Sequence, residues 1–135
     1  ELSKIYPDSW DKRVALLRDK KVTARYWGEG DHHSIPVYDT ATGKQIRRKV
    51  VKTDNFSLYE WLDHMESVSN NGAASVVYRE TVLMAVFGKD YPGITNEIAE
   101  EYFNSISRDS LRNMSHRIIN EPMRKLGITK DEWRL

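Results

Sequence analysis

Residues 57–68 read Ser57-Leu58-Tyr59-Glu60-Trp61-Leu62-Asp63-His64-Met65-Glu66-Ser67-Val68, and this stretch decides the fold class. A serine followed three places later by a glutamate is the pattern of a capping box, in which each side chain satisfies a backbone N–H that the first helical turn leaves open. Leu58, Trp61, Leu62, Met65 and Val68 then recur at i, i+3, i+4, i+7 and i+10, one apolar stripe of an α-helix. Immediately upstream the period is two. Ile46, Arg48 and Val50 fall on one side of a strand and Arg47, Lys49 and Val51 on the other. A strand period running into a helix period predicts an α+β chain.

Working outward, Asp39-Thr40-Ala41-Thr42-Gly43-Lys44 has the composition of a hairpin connection between residues 35–38 and 45–51. Residues 22–27 are β-prone and stop at Gly28-Glu29-Gly30-Asp31. Pro36 within the second strand suits an edge position. Asp8 or Ser9 can cap a first helix carrying Trp10, Val14 and Leu17. Downstream of Val68, Asn70-Asn71-Gly72 reads as a break, a second helix is expected over residues 73–87, and Gly88 ends it. A third helix starts near Thr95 with Ile98, Ala99, Tyr102 and Phe103. Ser107 caps a fourth, with Leu111, Met114, Ile118 and Ile119 as its inner stripe, a kink or restart at Pro122 and a stop at Gly127. Thr129 and Glu132 form one more capping-box pattern before Trp133. The expectation is one α+β domain over residues 1–135. A small antiparallel β-ribbon or three-stranded sheet occupies about residues 20–53, and four to five short helices occupy about residues 57–135.

Composition removes several chemistries. The 135 residues include no cysteine, so disulfides, thiolate zinc sites and cysteine nucleophiles are excluded, and a cytoplasmic location is expected. No apolar run approaches the ~18 residues of a membrane helix, so no membrane partner is expected. The chain opens on Glu1 rather than Met, as a domain cut from a longer protein would. Net charge is only +1 but it is segregated. Residues 11–52 hold eleven Lys/Arg against five Asp/Glu, residues 53–103 hold two against nine, and residues 104–135 hold seven against four. A basic, acidic, basic order suits an anionic partner, and it equally suits internal pairing of the middle with the ends.

Two constellations point to nucleic acid. The strand with Lys44, Arg47, Arg48, Lys49 and Lys52 is preceded by Tyr26, Trp27 and Tyr38, and a basic two-stranded ribbon can enter a major groove while aromatic rings stack on bases. The same charges also protect an exposed strand edge from aggregation. The third and fourth helices, parted by four residues, have the spacing of a helix-turn-helix. Arg108, Arg112, Asn113 and His116 lie on the outer face of the second of them, where arginine and asparagine can read guanine and adenine edges. Glu80, set between Val76-Val77 and Leu83-Met84, is expected to form a buried ion pair with Arg79 or a more distant arginine.

A three-stranded sheet followed by a helix resembles the arm-binding modules of tyrosine integrases over residues 22–68, by topology and one Thr-Gly-Lys turn. His32-His33-Ser34-Ile35-Pro36 resembles the His-His-x-x-Pro opening of HNH nucleases, and Asn55, with His64 nine residues beyond it, resembles their closing Asn and final His. That resemblance implies His33 as general base, Asn55 as the residue orienting it, and His32 and His64 as ligands of one divalent metal ion. The sequence departs from the family in carrying a hairpin between Pro36 and Asn55 and in lacking structural Cys pairs. The reading adopted is a nucleic-acid-binding accessory protein, DNA first, with no cofactor and more a binder than an enzyme. The alternatives are a protein-interaction or inhibitor module using the acidic residues 54–101, and an HNH-like nuclease, the one reading that requires a metal.

Overall fold

The computed structural model of the chain describes residues 1–129, 131 and 132. Helix α1 (Leu2–Ile5) leads to α2 (Trp10–Asp19), where Ser9 accepts the Lys12 N–H at 3.3 Å. Strand β1 (Lys21–Thr23) is followed by a tight 3-10 turn over Arg25–Gly28. Strands β2 (Ile35–Asp39) and β3 (Lys44–Arg48) form a hairpin, and β4 (Asn55–Ser57) runs directly into α3 (Leu58–Val68). Helix α4 (Asn71–Phe87) ends in a 3-10 segment, Gly88–Gly93, before α5 (Asn96–Ser105) and α6 (Arg108–Ser115). A π turn over His116–Asn120 then leads into α7 (Glu121–Lys125). The fold is mixed α+β with two small antiparallel sheets, as the change of period predicts.

The three-stranded alternative is not what forms. Among the described residues β1 pairs with β4, Val22 opposite Phe56, and β2 pairs only with β3, Val37 opposite Ile46. The integrase-like sheet is therefore absent among them. Residues 22–27 do not continue as a strand because Arg25 takes a left-handed φ of 50° and the Trp27 N–H turns back to the Ala24 carbonyl. The Ser57–Glu60 capping box closes in both directions. Asn70 is a helix start rather than a break, since its side chain accepts the Ala73 N–H at 2.7 Å and caps α4. Pro122 cannot donate to the Ile118 carbonyl, and its ring crowds that group. The helix widens to its π turn just before this residue and restarts as α7. Thr129 and Glu132 bond reciprocally as a capping box does. The helix expected toward Trp133 lies outside the described residues.

The core lies between α3, α4, the β1–β4 pair and the Gly88–Gly93 segment, filled by Val22, Ile35, Leu58, Trp61, Val76, Leu83 and Tyr91. Helix α4 is central. It touches α3 and both 3-10 segments and buries Ala73, Val76, Arg79, Glu80, Val82, Leu83 and Met84. One contact fixes its angle to the Arg25–Gly28 turn. A Cβ on Gly72 would sit 2.3 Å from the Gly28 carbonyl oxygen, and that obstacle is backbone. Helix propensity alone favours Gly72→Ala by about 0.5–1 kcal/mol, yet the clash is expected to reverse the sign and cost about 1–3 kcal/mol as overpacking. Urea unfolding checks this, and an unchanged or raised midpoint would mean that the turn can move away from α4.

Candidate nucleic-acid interface

Directly opposed residues of an antiparallel pair share a face, so the β2–β3 register sorts the ribbon. Ile35 with Arg48 and Val37 with Ile46 form one face; Pro36 with Arg47 and Tyr38 with Gln45 form the other. Ile35 is buried and Val37 half-buried, so the first face is the inner one at the root of the hairpin, and it turns outward by Ile46 near the tip. Tyr38, Lys44, Gln45 and Arg47 are exposed. Asp39 stabilises the connection by accepting from the Ala41 N–H at 3.0 Å and the Thr42 hydroxyl at 2.6 Å, which hold its carboxyl below the usual range.

Arg47 and Arg48 are neighbours with opposite roles. Arg48 makes a two-pronged contact with Asp54, at 2.8 and 2.5 Å, and also donates to the Lys49 carbonyl. Asp54 is buried and further accepts the Val51 N–H at 2.9 Å. Such a fork fixes the ribbon to its base and leaves Arg48 little to offer an external anion. Arg47 gives one long bond to the Ser34 carbonyl, 3.3 Å, and remains exposed. Lys44, Lys49 and Lys52 are exposed and, among the described residues, their ammonium groups enter no ion pair or hydrogen bond. The Arg25 N–H donates to the Lys52 carbonyl at 2.9 Å, so the basic ribbon ends against the Arg25–Gly28 turn. There Tyr26 is 73% exposed.

Five of the nine acidic residues of the middle segment are seen paired within the molecule. Asp54 holds Arg48, and Glu60 holds Lys21 at 2.9 Å while closing its capping box. Burial raises the Glu60 carboxyl, but the Ser57 bonds and Lys21 outweigh it and bring it down to about 2. Glu80 holds Arg79 at 2.8 Å, and Glu97 and Glu100 flank Arg25 at 3.5 and 3.7 Å. Glu80 is thus the buried partner of Arg79 that its position on α4 predicts.

The helix-turn-helix unit does not assemble as its spacing suggests. Ile98 is 41% exposed, and Leu111, Met114 and Ile118 are half-buried rather than core. Helix α6 attaches instead through a Tyr78–Ser115 hydroxyl pair and a 3.7 Å contact of the Tyr102 hydroxyl with the Met114 sulfur. Arg108, Arg112 and Asn113 are solvent-facing, but Arg112 pairs with Asp109 at 3.2 Å, and the His116 ring faces the Asn120 amide at 2.6 Å.

The HNH-like set does not assemble either. His33 is exposed and bonds Asp31 at 3.1 Å, while His32 gives its N–H to the same carboxylate. Asp31 also accepts the Asn71 N–H at 2.6 Å. Burial raises its carboxyl, but these bonds win and hold it well below the usual range. The His-His loop is thereby pinned to the N-terminus of α4, where a carboxylate is favoured. His64 is buried edge-on against Phe56 and Trp61, and desolvation lowers its basicity. Asn55 lies opposite Thr23 in the β1–β4 pair. Among the described residues no group of three or more His, Asp or Glu side chains comes together as a metal ion would require. No helix among them is long and apolar enough to cross a membrane. Comparison with protein-family models, curated proteins and solved structures finds no match.

Proposed function

We propose that the chain binds nucleic acid, DNA first, through the outer face and tip of the β2–β3 ribbon, with Lys44, Arg47, Lys49 and Lys52 on phosphates. The observation that carries this reading is the imbalance left after internal pairing. Lys21, Arg25, Arg48 and Arg79 are matched by carboxylates of the middle segment, whereas Lys44, Arg47, Lys49 and Lys52 are exposed and, among the described residues, are paired with no carboxylate. A charged edge alone would account for the cations. Exposed Tyr38 and Tyr26 beside them add stacking surfaces of the kind single strands use. Helix α6 stays outside the contact set because its inner stripe is only half-buried and Arg112 is paired with Asp109. An acidic docking face is weakened because five of its carboxylates, Asp54, Glu60, Glu80, Glu97 and Glu100, already have partners.

The test is binding to duplex DNA, single-stranded DNA and RNA across about 50–200 mM salt, read by fluorescence anisotropy. Replacing both Arg47 and Lys49 by Ala is expected to weaken binding for all sequences alike and to flatten the slope of log affinity against log salt by roughly one unit per lost contact. An unchanged slope removes the ribbon from the interface.

A further inference from the structure

Helix α2 carries its apolar residues on a face that packing leaves open. Trp10, Arg13, Val14, Leu17 and Arg18 stand at i, i+3, i+4, i+7 and i+8, one side of a helix, and all five line a single groove of about 610 Å³. Its far wall includes Leu58 and Leu62 of α3 with Val77 and Met84 of α4. A surface helix normally buries such a stripe. Yet α2 has no buried residue: Val14 and Leu17 are half-buried and Trp10 is 71% exposed. The volume falls within the roughly 300–1,000 Å³ of small-molecule sites, which are mostly apolar with a few polar groups that orient the ligand.

The charges decide what kind of head such a ligand carries. Two carboxylates line the groove, and both are taken: Glu1 pairs with Lys4 at 2.7 Å, and Glu80 accepts Arg79 Nε and the Tyr91 hydroxyl. Two guanidinium groups line it, and among the described residues neither meets a carboxylate. Arg13 gives Nε to the Tyr6 carbonyl at 2.7 Å and Nη2 to the Pro7 carbonyl, neutral acceptors that leave its charge uncancelled. Arg18 is exposed, and among the described residues its guanidinium has no hydrogen-bond or ion-pair partner. The groove is therefore apolar along α3 and α4 and positive along α2. A methylene takes about the room of a water, ~30 Å³, so the space holds one chain of about twelve carbons with its headgroup, and not two. We infer that this groove binds a single-chain amphiphile with an anionic head, a medium-chain fatty-acid carboxylate, whose head meets Arg18 and whose chain lies against Leu17, Leu62, Val77 and Met84. No residue of the ribbon lines the groove, so the inference stands apart from the nucleic-acid reading.

The test is isothermal titration calorimetry with octanoate, decanoate and dodecanoate, each below its micelle concentration. One chain per protein is expected, and each added pair of methylenes should tighten binding by about tenfold. Dodecyl maltoside, with a neutral head, should bind more weakly than dodecanoate, and dodecyltrimethylammonium more weakly still. Arg18→Gln should cost dodecanoate at least about tenfold and leave dodecyl maltoside unchanged, while Arg18→Lys should restore most of the loss. Both changes fall on an exposed side chain, so the fold is not at stake. Val77→Phe, which fills the groove, should weaken every chain alike, with circular dichroism confirming that the variant is folded. Trp10 emission should move to shorter wavelength with dodecanoate, a change that Trp10→Phe removes. Equal affinity for carboxylate and trimethylammonium heads, or uptake that does not saturate at one chain, overturns the site. So does binding to phosphatidylglycerol vesicles with none to monomeric dodecanoate, which would make this face a membrane contact. A dimer in analytical ultracentrifugation that Val77→Phe disrupts and dodecanoate does not would overturn it as well, making the groove a contact between copies.

Discussion

Trp61→Ala is expected to cost about 3–5 kcal/mol, a large share of the about 5–15 kcal/mol by which native proteins are generally stable. The indole is 0% exposed, the largest side chain in the core. Its ring meets Phe56 edge-on at 5.0 Å, and its Nε1–H donates to the Val22 carbonyl at 2.9 Å. It therefore ties α3 to the β1–β4 pair through both packing and a buried hydrogen bond. Trp61→Phe separates the two, since it keeps most of the apolar contact but leaves the Val22 carbonyl without a donor, at about 1–3 kcal/mol. Trp10→Ala, on a residue 71% exposed, should stay within about 0.5 kcal/mol. Chemical unfolding of the three variants would refute the role given to Trp61 if its truncation cost no more than that of Trp10.

Trp61 was legible from its place in the 58, 61, 62, 65, 68 stripe, and so was the helix around it, because a capping box and a 3.6 period are local signals. The hairpin turn was legible for the same reason. The β1–β4 pair was not: it joins two strands of three residues across more than thirty positions, and neither has a pattern of its own. The end of β1 depended on Arg25 taking a positive φ, to which no property of arginine points. Within the ribbon, alternation correctly separated Arg47 from Arg48. Which of the two faces inward was decided by Asp54, six residues on and unremarkable in the sequence. The place of His64 as an inner residue is legible in its spacing, since it lies three positions after Trp61 on the buried side of α3. Arg25 and Arg79 lie 54 positions apart, and only the tertiary fold reveals that each buries a guanidinium N–H.

The second large effect is expected at Glu80. Its carboxylate accepts Arg79 Nε at 2.8 Å and the Tyr91 hydroxyl at 2.7 Å, all three residues being buried. Burial, and then the Glu80 charge, push the Tyr91 phenol well above its ordinary range, so it stays a neutral donor. Burial lowers the Lys20 ammonium, and the attraction of Glu80 partly restores it; that ammonium lies 4.7 Å from the centre of the Tyr91 ring. Glu80→Ala leaves a buried guanidinium without its counter-charge and a phenol without its acceptor, and about 3–5 kcal/mol should be lost. The loss is mostly the penalty on the abandoned partners rather than the net value of the pair. Replacing Arg79 and Glu80 together by Met, with Tyr91→Phe to remove the orphaned hydroxyl, should therefore cost less than Glu80→Ala alone, because no uncompensated charge stays in the core. Urea unfolding of the single and combined variants decides the matter. Losses that add within about 0.5 kcal/mol would mean that the three groups act independently, and the network would then be three separate contacts.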